Sequence, residues 1–78
     1  MKLSNKHYNF IKNNVANKII LEKIYFDSST NYYKILDSET ADELRDWAMD
    51  LQVKEGFDEN YELNPRGQLL EEIIDLLL

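Results

Sequence analysis

Residues 18–36 decide the fold: Lys18-Ile19-Ile20-Leu21-Glu22-Lys23-Ile24-Tyr25-Phe26, then Asp27-Ser28-Ser29-Thr30-Asn31, then Tyr32-Tyr33-Lys34-Ile35-Leu36. The first nine are rich in Ile, Tyr and Phe, side chains that fit a pleated surface. The next five are turn formers, and the last five are again apolar and aromatic. The pattern predicts an antiparallel β-hairpin with strands over 18–26 and 32–36. In the first strand Ile20, Ile24 and Phe26 share a face with Glu22, while Ile19, Leu21 and Tyr25 share the other with Lys23. Both faces are therefore partly apolar. A lone hairpin is barely stable in water, so helices must cover it.

Those helices are found on either side. Upstream, Ser4 or Asn5 can cap a helix running to about Asn17, with Tyr8, Ile11 and Val15 on one face. Downstream, Thr40-Ala41-Asp42-Glu43 has the spacing of a capping box, with Asp37 and Ser38 as competing caps. This helix runs to about Glu55. Gly56 is expected in the left-handed position beyond its end, with Phe57 folding back on Leu51. Ala41, Leu44, Trp47, Ala48 and Leu51 fall within an arc of about 120°, a core face. Residues 58–64 read as an acidic loop or a short strand around Tyr61–Leu63. Asn64-Pro65 opens the last helix, with Asn as cap and Pro at its first position. The expected fold is α+β in one small domain over 1–78: an N-terminal helix, an antiparallel β-hairpin, then two C-terminal helices packed on the sheet.

Composition removes several function classes. A chain of 78 residues holds one domain. Cysteine is absent, so there is no disulfide framework, no thiolate nucleophile and no cysteine zinc site. His7 is the only histidine, too few for a catalytic zinc or a confident Ser-His-Asp order. Asp58, Glu59 and Glu62 lack the alternating acids and central glycine of an EF-hand. Gly56 and Gly67 are too far apart to cradle a phosphate. The expectation is a non-enzyme with no catalytic residues, no cofactor and no metal. No apolar run is long enough to span a membrane, and MKLSNKHYNF lacks the apolar core of a secretory signal. A cytoplasmic protein of a bacterial host, away from membranes, is expected.

Charge is divided unevenly along the chain. Residues 1–36 carry six lysines against Glu22 and Asp27, whereas residues 37–78 carry thirteen acids against Arg45, Lys54 and Arg66. On the third element, Glu39, Asp42, Glu43, Asp46 and Asp50 fall within about 100° of one another, opposite the apolar face. Like charges at i, i+4 destabilise a helix by a few tenths of a kcal/mol each, so keeping them favours a use. Such a stripe would suit a basic protein groove and imitate DNA phosphates. With Tyr33, one of two adjacent tyrosines that must face opposite ways on a strand, these five acids form the expected partner-binding set. The lysine-rich half, with Lys2, Lys6, Lys12, Lys18, His7, Tyr8 and Phe10, has no arginine and no RNP signature, so nucleic acid is not the favoured partner. The last helix is apolar over roughly 200° of its surface. Two readings fit: the helix is sunk between two layers of its own fold, or its second side forms a homodimer seam through Leu70, Ile74 and Leu77.

In composition, an Asn/Lys/Tyr-rich start and an acidic helical end, the whole chain resembles many short reading frames of low-GC bacteria and their phages. That likeness implies a small accessory protein, such as an inhibitor of a host enzyme or defence system. The sequence therefore points to a non-enzymatic acidic module that occupies the basic groove of a partner protein. The alternatives are a small homodimeric structural subunit and a nucleic-acid-binding regulator using the lysine-rich half.

Overall fold

The first helix starts where Ser4 turns its hydroxyl onto the backbone N–H of His7. This computed structural model describes residues 2–78. Helix α1 spans Asn5–Asn14 and ends earlier than the sequence suggests. The Asn14 amide donates to the Phe10 carbonyl at 2.8 Å, satisfying a helix-end acceptor, and Val15 is already extended.

The expected strand over 18–26 divides in two. Lys18–Lys23 is a 3-10 helix, capped by the Asn17 side chain accepting from the Ile19 N–H at 3.2 Å. Only Ile24–Asp27 is strand β2. The partner sets this limit. Strand β3, Tyr32–Ile35, is four residues long before the chain leaves for the next helix. The last backbone tie is Leu36 N–H to the Lys23 carbonyl at 3.1 Å. Residues before Lys23 have no ladder to join, so their amides close locally. The turn between the strands is held by the Asp27 carboxylate, which accepts from the Ser29 N–H and hydroxyl, and Asn31 takes the left-handed conformation. A further strand, β1 (Lys2–Leu3), pairs with β3 to make a three-stranded antiparallel sheet in the order β1-β3-β2. Two residues show no periodicity, so β1 has no signature in the sequence.

Helix α2, Ser38–Glu55, is capped by Asp37, whose carboxylate accepts from the Thr40 N–H at 3.3 Å. Thr40, the expected cap, lies one turn inside and is buried. Gly56 is right-handed, with φ −92°, so the expected left-handed cap is not formed. Its carbonyl is taken by the Asn64 N–H at 2.9 Å, and the Asn64 amide reaches the Glu55 carbonyl at 3.0 Å. These two bonds satisfy the helix end from across the loop. Phe57 stays 44% exposed and pairs with Leu63 through a single β-bridge, which is all that forms of the short strand around 61–63.

Helix α3, Pro65–Leu76, begins as expected, with Asn64 accepting from the Gly67 N–H at 2.7 Å. It runs antiparallel to α2: Gln52 donates to the Gly67 carbonyl at one end and Arg45 to the Leu77 carbonyl at the other. Ala41, Leu44 and Ala48 of α2 meet Leu70, Ile73 and Leu77 of the last helix and its end. Leu3, Ile11 and Ile24 complete the core from the sheet and α1. Each large aliphatic side chain so buried contributes about 1.5–3 kcal/mol.

Candidate binding surface

The outer face of α2 is acidic along most of its length. Glu39, Asp42, Glu43, Asp46 and Asp50 are all exposed, while Ala41, Leu44 and Ala48 on the opposite side are buried. Helical periodicity alone produces this division once the apolar stripe is in the core. Two of the five acids have cations beside them. Arg45 pairs with Asp42 at 3.1 Å, and Lys54 reaches Asp50 at 4.0 Å. Exposed pairs of this kind hold little energy. Glu39, Glu43 and Asp46 have no ion pair among the described residues. Asp46 and Asp50 border an open hollow whose other walls are Trp47 and Met49. Trp47 is half-buried and is steadied from below by Phe10, with ring centroids 6.3 Å apart.

Tyr33 belongs to a different part of the molecule. Its ring stacks on Tyr8 at 4.0 Å and 1° and takes the edge of Phe26 at 5.1 Å. The outward member of the tyrosine pair is Tyr32, 42% exposed, with the Lys2 ammonium 5.9 Å from its ring centroid. Of the two readings of the last helix, single-chain packing favours the one in which it is sunk within its own fold. Leu70 and Leu77 are 0% and 1% exposed within a single chain, and Ile74 is half-buried against the same core. Packing of α3 on α2 consumes the side of the helix that the seam required. Leu76 and Leu78 are what remain exposed.

A polar chain through the buried His7 ties α1 to α3, and the sequence reading missed it. His7 is 8% exposed. Its Nε2 lies 3.0 Å from the Glu72 carboxylate and its Nδ1 2.7 Å from the Ser4 hydroxyl. A carboxylate only accepts, so Nε2 carries the proton, and in the neutral ring Nδ1 accepts from Ser4. Ser4 also takes the His7 N–H, so its hydroxyl serves as the helix cap. Glu72 is held below the usual carboxylate range by the His7 hydrogen bond first and by Lys6, 3.4 Å away, second. The Ser4-x-x-His7 spacing at a helix start was visible in the sequence. Glu72, 65 residues further on, was not. Arg66 makes a similar long-range tie, bonding Asn14 at 2.8 Å and lying over the Phe10 ring at 5.1 Å.

In the 58–64 loop, the Asp58 carboxylate accepts from the Asn60 and Glu62 N–H groups, which occupies it within the turn. Among the described residues no cluster of His, Asp and Glu has the arrangement of a metal site, and no helix is long and apolar enough to cross a membrane. No protein-family model, no curated protein and no solved structure matches this chain.

Proposed function

We propose that this protein is a non-enzymatic binding module whose α2 outer face engages a basic groove on a partner protein. The observation that carries the reading is the exposure of all five stripe acids on one unbroken helix face. Three of them have no ion pair among the described residues, and the face borders the Trp47–Met49 hollow. A row of carboxylates on a rigid helix attracts a basic surface at long range and loses strength as salt rises. The half-buried Trp47 gives such a contact an aromatic anchor of the kind that dominates interface energetics. A surface of this type competes with nucleic acid for the groove it fills, which is how an inhibitor of a nucleic-acid-handling enzyme would act.

The test is capture from nuclease-treated lysate of the native host, with wild type and a triple Asp42→Asn, Asp46→Asn, Asp50→Asn variant as baits and elution in rising salt. One stoichiometric protein released from wild type at moderate salt, and absent from the variant, is the expected result. Equal capture by both baits, or recovery of the bait alone, overturns the reading.

A further inference from the structure

The solvent side of the sheet carries aromatic and basic groups that neither the core nor the acidic helix face uses. Register decides which side chains share it, because residues opposite one another in an antiparallel ladder project to the same side and alternate along each strand. Tyr25 is opposite Lys34, and Lys34 is opposite Lys2, so one row across the three strands reads Tyr25, Lys34, Lys2. Two residues along, on the same side, Asp27 is opposite Tyr32. The other side holds Leu3, Ile24, Ile35 and Tyr33, and Tyr8 of α1 covers it.

Tyr25 and Tyr32 are 45% and 42% exposed. They are diagonal neighbours across β2 and β3, positions about 7–8 Å apart. A flexible single strand spans that step between unstacked bases. The Lys2 ammonium stands over the Tyr32 ring, and Lys34 is held in the row by Asp27 at 2.8 Å. The other aromatic rings of the lysine-rich half are unavailable: His7 is buried, Tyr8 is stacked on Tyr33, and Phe10 is half-buried between Arg66 and Trp47.

We propose that this sheet face binds single-stranded nucleic acid, with successive bases stacked on Tyr25 and Tyr32 and the backbone drawn to Lys2, the charge of Lys34 being matched by Asp27. Every base offers a π-face, so the site tolerates sequence, and two stacked bases supply more of the affinity than the one unpaired lysine of the row. The stripe on α2 repels phosphates, which favours a narrow strand lying along the sheet over a duplex that presents phosphates on all sides.

The experiment is fluorescence anisotropy of a labelled twelve-nucleotide oligothymidine with the full chain at about 20 mM salt, where the phosphate attraction is least screened. A saturable signal is expected. Tyr25→Ala and Tyr32→Ala should each weaken binding at least about fivefold, and Lys2→Ala should flatten the salt slope by about 0.7. Both tyrosines are exposed, and Tyr32→Leu, which keeps apolar bulk without an aromatic face, should weaken binding as Tyr32→Ala does. Absence of saturable binding overturns the proposal. So does unchanged affinity in both tyrosine variants, and so does equal affinity for a duplex of the same length.

Discussion

Gly67, in the first turn of α3, lies against the backbone of Gly56, at the end of α2, so closely that no side chain fits between them. A Cβ placed on Gly67 would overlap the Gly56 carbonyl, and backbone cannot swing aside as a flexible side chain can. The approach is locked by Gln52 donating to the Gly67 carbonyl at 3.2 Å and by the Asn64 N–H on the Gly56 carbonyl at 2.9 Å.

Gly67→Ala should therefore destabilise the protein. In an ordinary helix the exchange gains about 1 kcal/mol. Here the overlap should reverse the sign and cost about 3 kcal/mol. Urea unfolding checks it, and a raised midpoint would show that α2 and α3 do not meet backbone to backbone.

Leu70→Ala should cost about 2–5 kcal/mol, the cost of truncating a buried leucine. Leu76→Ala, at a position 37% exposed, should cost less than about 1 kcal/mol. Because Leu70 packs within its own chain, the loss should be the same at all protein concentrations. A loss that shrinks as the protein is concentrated would restore the dimer seam.

Acid should unfold the protein through three carboxylates. Asp27 lies well below its ordinary range, through its bond to Lys34 first and to Ser29 second. Asp37 is lowered chiefly by Thr40, and Glu72 by His7 and then Lys6. Each folded-state value is depressed, so the stability these groups give is present at neutral pH. It is lost as pH falls below about 4, where the unfolded chain takes up protons first. Lys34 is raised by Asp27, so its share persists through the neutral range and is lost as pH rises from its unfolded value through its folded value. Thermal melts between about pH 7 and pH 2 should show a flat upper limb and a falling acid limb. Asp27→Asn should flatten that acid limb, and an unchanged slope would remove the Asp27–Lys34 pair from the account.

Tyr61 is 87% exposed and has φ 61°, a left-handed conformation that costs a bulky residue about 1–2 kcal/mol. Asn31 has the same φ, but its short side chain tolerates it. Tyr61→Asn should thus raise stability by about 1 kcal/mol, with Asn31→Gly changing little. Denaturant midpoints for the two variants decide the matter, and a drop for Tyr61→Asn would mean that the ring makes a contact worth more than the strain.

Much of the architecture is legible in local chemistry. Asn64-Pro65 marks the start of α3, Asp27 to Asn31 the hairpin turn, and the spacing of Ala41, Leu44 and Ala48 the buried side of α2. The exposure of the five stripe acids follows from the same spacing, because fixing one side of a helix fixes the other. Each of these signals acts over a turn or two of chain.

What the tertiary structure decided acts over longer distances. Lys2–Leu3 becomes a strand because β3 offers a free edge some thirty residues away, and Lys18–Lys23 becomes a 3-10 helix because β3 ends too soon to pair with it. Tyr33 faces inward and Tyr32 outward because the register with Leu3 and Phe26 sets the side of the sheet that α1 covers. Leu70 and Leu77 are core rather than seam because α2 lies against them. The caps at Ser4, Asn17 and Asn64 and the Asp27 turn close their hydrogen bonds among near neighbours, so local sequence is enough for them, whereas the end of α2 is closed by Asn64 from across the loop. Pairing, facing and backbone approach are chosen by the burial that the whole chain achieves, and no local run of residues contains that sum.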